Sequence, residues 1–289
     1  MTAIFEADAA NRELAHQGYT VIPLLDAAAI RDVQTLHDAV FPTVPLDFHS
    51  TLVSATVEQR LRVVEGLRAI VSEKLETIIP GFRIAVASFM TKRPRSQRGR
   101  IPLHQDPWTT DHRREMAPSV WCPLVDVSSA NACLRMVPGS QHLFPFPCPM
   151  NALSTTARHL TYQWNADPLD DEFVRDVPLG AGEAVIYDPR ILHGSGENLS
   201  ERTRVAFNCI TIPEGDEPRL YFWDDRPPGR METFQVTDAF LCEFRYDAHP
   251  EPPYPDGVRL LETFDVPREP MRLDRHELKR LQAVESVSS

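Results

Sequence analysis

Paired cysteines are missing from this 289-residue sequence. The five that occur, Cys122, Cys133, Cys148, Cys209 and Cys242, are odd in number and widely spaced, and none forms a CxxC. That argues against a disulfide framework and sets the expectation of a reduced, cytoplasmic protein whose cysteines are core residues. Long apolar runs are absent, so no membrane partner is expected. The opening MTAIFEADAANREL has no basic stretch leading into an apolar one, as a secretory signal would. Positive charge is in deficit: 30 Lys and Arg stand against 41 Asp and Glu, for a net charge of −11. Such a balance disfavours nucleic acid as a partner. No GxGxxG is present for nicotinamide chemistry, and no HExxH or nucleophile elbow for hydrolysis. Glycine is scarce, 12 against 26 prolines, which predicts long, stiff loops.

What is present changes character along the chain. Residues 1–80 read as helical. Asp26 is placed to cap a helix carrying Ile30, Val33, Leu36 and Val40, and Thr56 to Gln59 fit a capping box. Behind it, Leu61, Val64, Leu67, Val71, Leu75 and Ile78 make an amphipathic stripe that Pro80-Gly81 ends. From residue 82 the period switches to two. Residues 82–90, 119–127, 133–140, 183–188 and 203–213 read as strands separated by turn residues. Helices first and strands after do not suit a doubly wound sheet, so the expectation is a mainly β barrel or sandwich with flanking helices. The chain is read as one domain over 1–289, with a helical part at 1–80 and a barrel core at about 82–213. An acidic, proline-rich extension follows over 214–289, ending in a helix at 273–285. Its apolar residues, Phe222, Trp223 and Tyr246 among them, suit either a cover for the barrel mouth or a dimer contact; monomer and homodimer both stay open.

One short stretch, PLHQDPWTTD (102–111), offers chemistry. His104 and Asp106 are two apart, so on a strand both leave the same face. A pair of this kind is weak evidence alone. His193, in YDPRILHGSGEN, supplies a third candidate at another strand end. Two histidines and one carboxylate are the facial triad of non-haem Fe(II) oxygenases, three ligands on one face with the other left open. Arg204 shares a strand face with Ala206, Asn208 and Ile210. An arginine there needs a partner, and a ligand carboxylate would provide one.

QGYTVIPLL, MTKRP, IPLHQDPW, NACLRMVPGSQH and LHGSGENLSERTRVAFN together resemble the phytanoyl-CoA hydroxylase (PhyH-like) family of Fe(II)/2-oxoglutarate dioxygenases, over roughly residues 17–212. The resemblance implies a double-stranded β-helix, a jelly-roll or cupin-like barrel. It implies iron ligation by His104, Asp106 and His193, and pairing of Arg204 with the distal carboxylate of 2-oxoglutarate. It further implies co-substrate contacts from Gln105, Trp121, Ser195 and, less specifically, Ser88. The reaction it implies consumes O2 and 2-oxoglutarate, releases succinate and carbon dioxide, and oxidises a C–H bond of a small molecule. The presence of Asp106 disfavours halogenation, for which related enzymes carry a small residue there. Hydroxylation of an aliphatic carbon of a small molecule, such as a natural-product intermediate, is the first expectation. Desaturation, epoxidation, rearrangement and a silent binding barrel are the alternatives.

Trp108 shares the face of Asp106, and lining the pocket and capping its mouth both stay open for it. Arg202 competes with Arg204 but reads as solvated. KRPRSQRGR (92–100) carries five positive charges just before the metal motif, and DHRRE (111–115) adds two arginines after it. Charge runs are usually solvated faces. The functional alternative puts Arg98 and Arg100 at the pocket mouth, attracting an anionic substrate.

Overall fold

Two polar side chains start the helices that carry the main sheet. Asp26 accepts hydrogen bonds from the amides of Ala28 and Ala29 at the head of α2 (Ala27–Val40), after α1 (Asp8–Gln17) and β1 (Tyr19–Pro23). Short β2 (Phe48–Ser50) and α3 (Thr51–Ser54) follow. Thr56 and Gln59 then close a reciprocal capping box on α4 (Val57–Ile78), satisfying amides that the first turn leaves orphaned. Val64, Leu67, Val71 and Leu75 recur along α4 at helical spacing and are all buried. They share one apolar cluster with Phe89 of β3 (Phe82–Lys92) and Phe207 of β10 (Arg204–Pro213).

In this computed structural model the described residues are 4–44, 46–96, 99–111, 113–114, 116–144, 146–150, 171–224, 230–243, 249–266 and 274–283. The remaining strands of the barrel are β4 (Ile101–His104), β5 (Ser119–Pro123), β6 (Leu134–Met136), β7 (Arg175–Val177), β8 (Glu183–Tyr187) and β9 (His193–Ser195). Six strands form an antiparallel sheet in the order β1-β8-β5-β10-β3-β2, and four form a second in the order β4-β9-β6-β7. The outer face of the first sheet packs on the helices. Its inner face meets the second sheet: Trp121, Tyr187 and Ala206 share an apolar cluster with Leu134, Met136 and Val177. This is the jelly-roll arrangement expected of a mainly β chain with flanking helices.

Two regions depart from expectation. The first eighty residues are not all helical, because β1 and β2 occupy the two edges of the large sheet. At five and three residues they are too short to show an alternating pattern between helices. The extension, read as acidic and proline-rich with a terminal helix, also contains strands. It builds a third sheet, β11 (Arg219–Asp224), β12 (Arg230–Val236) and β13 (Val258–Asp265), with α5 (Asp238–Glu243) and a terminal α6 (Arg275–Ala283). Leu220, Tyr221, Phe222 and Trp223 are all buried, so β11 shows a continuous apolar run in place of alternation. Tyr246, Arg98 and His112 lie outside the described residues. All five cysteines are buried and unpaired, and burial raises their thiol pKa values, that of Cys209 to about 12. No helix among the described residues is long and apolar enough to cross a membrane.

Leu67 is fully buried between α4 and the main sheet. Leu67→Ala is expected to cost about 2–5 kcal/mol of stability through lost burial and a residual cavity. Urea denaturation would show this as a lower midpoint at unchanged slope.

Candidate metal and co-substrate site

β4 and β9 run antiparallel with His104 directly opposite His193. Their ring centres are 4.4 Å apart. Gly194, between His193 and Ser195, makes this closeness possible. A Cβ there would sit 2.6 Å from the Ile101 carbonyl oxygen and 2.9 Å from that of Pro102. Asp106 lies just past β4, where its amide donates to the Pro189 carbonyl at 3.1 Å. One ligand atom from each of His104, Asp106 and His193 lies within 4.8 Å of the others.

The hydrogen bonds around these atoms fit a metal. His104 Nδ1 is 2.9 Å from the Pro102 carbonyl oxygen, and His193 Nδ1 is 3.0 Å from that of Ile191. A carbonyl only accepts, so each Nδ1 carries the hydrogen and each Nε2 keeps its lone pair. Those Nε2 atoms lie 3.8 and 3.6 Å from Asp106 Oδ1. The other carboxylate oxygen, Oδ2, accepts a 2.7 Å hydrogen bond from the Tyr187 hydroxyl. Burial and then the Asp106 charge raise the Tyr187 pKa well above its ordinary value, so it remains a donor. Desolvation and then the neighbouring His193 lower the His104 pKa to about 4, keeping the imidazole neutral. Two neutral imidazoles and one carboxylate would leave a divalent ion with a net charge of +1 and an open face.

Deeper in the barrel, Arg204 of β10 is 2% exposed. Its Nη1 donates to the Met90 carbonyl at 2.9 Å, and its guanidinium lies 5.5 Å from the centre of the Trp121 ring. Its Nε is buried with no hydrogen-bond partner. An unsatisfied donor of a buried cation is costly, and an incoming carboxylate would relieve it. Burial lowers the Arg204 pKa to about 10. Arg202 is exposed. Ser195 Oγ accepts from Lys92 Nζ at 2.6 Å.

A cavity of about 220 Å³ opens beside the triad. His104, Gln105 and Asp106 stand at one side, and Val86, Met150, Ile210, Leu220 and Leu241 are among its apolar walls. Side-chain exposures of 22% for His104 and 16% for Asp106 show that the site is reached from it.

The sequence matches the phytanoyl-CoA dioxygenase (PhyH) family over residues 15–206, a span that holds all three converging side chains and Arg204. The chain belongs to that family. It is therefore an enzyme of the Fe(II)/2-oxoglutarate-dependent class. Similar solved structures include EvdO2 from Micromonospora carbonacea var. aurantiaca in complex with 2-oxoglutarate, at 20% identity and a TM-score of 0.50, covering 75% of this chain and 96% of that one. SnoK, a non-haem α-ketoglutarate-dependent carbocyclase from nogalamycin biosynthesis, matches at 18% identity and 0.52, covering 89% and 96%. The epimerase SnoN, in complex with Fe3+, α-ketoglutarate and nogalamycin RO, matches at 20% and 0.53, covering 92% and 98%. At these identities the likeness is one of fold. No curated protein matches the chain.

Within this PhyH-family barrel the other expected site residues fall in different places. Gln105 lines the cavity, but its Nε2 donates to the Arg190 carbonyl at 2.9 Å, holding the turn ahead of His193. Trp121 packs beside Arg204. Ser88 lies opposite Asn208 on the inner face, its hydroxyl 3.2 Å from the Phe89 carbonyl oxygen. Trp108 does not line this cavity; it is 4% exposed, with the Arg190 guanidinium 5.3 Å from its ring centre. Arg100 lies in a separate polar cavity of about 490 Å³ with Arg135, Asp176 and Glu197. Of the neighbouring arginines, Arg95 pairs with Glu201 and Arg113 with Asp111 and Glu262. Two residues of the site escaped sequence reasoning. Tyr187 was seen only as part of a strand, and Lys92 as the first charge of a basic loop.

Tyr187→Phe leaves Asp106 Oδ2 without its donor and is expected to weaken metal binding about 10–100-fold, read by competition with a chelator. Gly194→Ala is expected to force β4 from β9. Metal titration of the folded variant should show loss of the tight site while circular dichroism stays barrel-like.

Proposed function

We propose that this PhyH-family enzyme hydroxylates an aliphatic carbon of a small molecule with a largely apolar body. The convergence of His104 Nε2, His193 Nε2 and Asp106 Oδ1 at the side of an apolar cavity carries the reading. His104, Asp106 and His193 would hold the iron. Arg204, with its unsatisfied Nε beneath Trp121, would take the distal carboxylate of 2-oxoglutarate. The bound iron supplies activation of dioxygen coupled to decarboxylation of 2-oxoglutarate. The chain's own part is to orient the ligands through Tyr187 and the two Nδ1 hydrogen bonds, and to exclude water with apolar walls.

The cavity supports an apolar substrate over the anionic one that the basic loop offered as an alternative to a solvated face. Among the described residues lining it there is no Lys or Arg, and an unpaired anion against such walls is costly. Arg100 faces elsewhere. The extension shares an apolar cluster with the barrel, Phe222 and Phe234 packing with Val86 and Ile212, which supports reading 1–289 as one domain. A second reading keeps the site and changes the outcome to ring closure or epimerisation, which SnoK and SnoN, of like fold, are described as performing.

The test is succinate release from 2-oxoglutarate with Fe(II), ascorbate and air. Wild-type protein is expected to release succinate, and Asp106→Ala to fall to background. Arg204→Ala should raise the KM for 2-oxoglutarate about 10–100-fold while leaving metal affinity unchanged. No succinate from the metal-loaded wild type, across neutral apolar candidate substrates, overturns the reading. Product mass separates the outcomes: one oxygen gained for hydroxylation, two hydrogens lost for ring closure, no change for epimerisation.

A further inference from the structure

A polar seam crosses the inner face of the main sheet beside the metal ligands. Asn208 of β10 lies opposite Ser88 of β3 on one side and Trp121 of β5 on the other. Ser88 Oγ is 3.5 Å from Ser50 Oγ on β2. Asn208 Oδ1 is 3.5 Å from the Tyr187 hydroxyl, which donates to Asp106 Oδ2 at 2.7 Å. The row thus runs from a metal-binding carboxylate to the sheet edge. Asn208 and Ser50 both line the apolar cavity, at 4% and 5% exposure.

The hydrogen-bonding capacity of these two side chains is largely unspent. A carboxamide offers two N–H donors and a carbonyl acceptor. A phenol has one hydrogen, and the shorter contact to Asp106 takes it, so Asn208 Oδ1 gains little from Tyr187. Asn208 makes no other side-chain hydrogen bond among the described residues. Ser50 stands at the N-cap of α3, where a serine ordinarily accepts from first-turn amides, and makes no such bond. Ser88, between them, is engaged with the Phe89 carbonyl, and Gln105 spends its Nε2 on that of Arg190. Polar atoms held away from water without partners are costly, and a ligand that supplies the partners removes the cost.

This seam is distinct from the Arg204 end of the strand. Asn208 is four positions along β10 from Arg204, about 13 Å of extended chain, and neither Arg204, Lys92 nor Trp121 lines the cavity. The walls around the seam, Val86, Met90, Ile210 and Leu220, disfavour a charged group. An uncharged oxygen suits them: it accepts from an amide N–H, and as a hydroxyl it also donates.

We propose that Asn208, assisted by Ser50, binds an uncharged oxygen function of the substrate, a hydroxyl or a ketone. The substrate is then an oxygenated, largely apolar molecule and not a bare hydrocarbon. Because Asn208 is one hydroxyl away from Asp106, the carbon presented to the metal lies a few bonds from that oxygen. This rests on the apolar-cavity reading given above. The rival is an asparagine that only braces Tyr187 against Asp106.

Headspace partitioning of volatile probes over nickel- and 2-oxoglutarate-loaded protein decides between the roles. A dry apolar cavity of ~150 Å³ already takes benzene, so one of about 220 Å³ has room for a single-ring terpenoid skeleton. The probes are p-menthane, menthone and menthol, which share a carbon skeleton and differ in the oxygen. Asn208→Leu is expected to weaken menthol or menthone binding about 10-fold or more and p-menthane binding less than about 2-fold. Nickel affinity, read by chelator competition, should stay within about 2-fold; a brace for Tyr187 would lose it as Tyr187→Phe does. Ser50→Ala should show the same pattern at about 3-fold, and it decides alone if Asn208→Leu does not fold. An equal change for all three probes, no change for any, or a drop in nickel affinity matching that of Tyr187→Phe overturns the proposal. Failure of the loaded wild type to bind any of the three instead overturns the apolar-cavity reading on which it stands.

Discussion

The close approach of β4 to β9 is the constraint on which the site depends. Gly194 permits it, and the antiparallel register then places His104 against His193 without further adjustment. Each ring is fixed by the same local device, an Nδ1 hydrogen bond to the carbonyl of the residue two positions earlier, Pro102 in one case and Ile191 in the other. The tautomer is thus set by the strand ends themselves. Asp106 is held separately, by its amide on Pro189 and its Oδ2 on Tyr187. Three donor atoms mounted on sheet edges lose little freedom on meeting a metal, which is the energetic advantage of preorganisation.

The inner face of the main sheet works in the opposite sense. It is left electrostatically unfinished. Arg204 is removed from water where no acidic side chain balances it among the described residues. Such an arrangement costs stability in the empty barrel, and on the proposed reading the cost is offset when the dicarboxylate enters. Helices α2 and α4 supply the compensating apolar burial on the other face of the same strands. Core and site are therefore two sides of β3 and β10.

Local signals were legible in the sequence. The Asp26 cap, the Thr56–Gln59 capping box and the α4 stripe involve residues a few positions apart, and each appears where its spacing placed it. The two-residue spacing of His104 and Asp106 was equally readable. Long-range partners were not. Tyr187 sat in a recognised strand, yet nothing local reveals that its hydroxyl meets a carboxylate 81 positions away. Lys92 was obscured by its neighbours. The strand reading stopped at Met90, while β3 runs two residues further and turns Lys92 from the start of a charged loop into an inward-facing side chain. In β11 burial on both faces erased the period-two signal, so no strand was read in the extension.

That extension alters how the protein is partitioned. The residues matching the family end at 206, while Ile210, Leu220 and Leu241 of the cavity wall come after it. β11 is also stitched to the segment following the metal motif: the Arg219 amide donates to the Thr109 carbonyl, the Tyr221 hydroxyl to that of Thr110, and the Arg219 guanidinium pairs with Asp111. The cavity wall thus draws on both stretches of one polypeptide. A substitution in the tail can therefore reshape the cavity while leaving the three converging ligands in place.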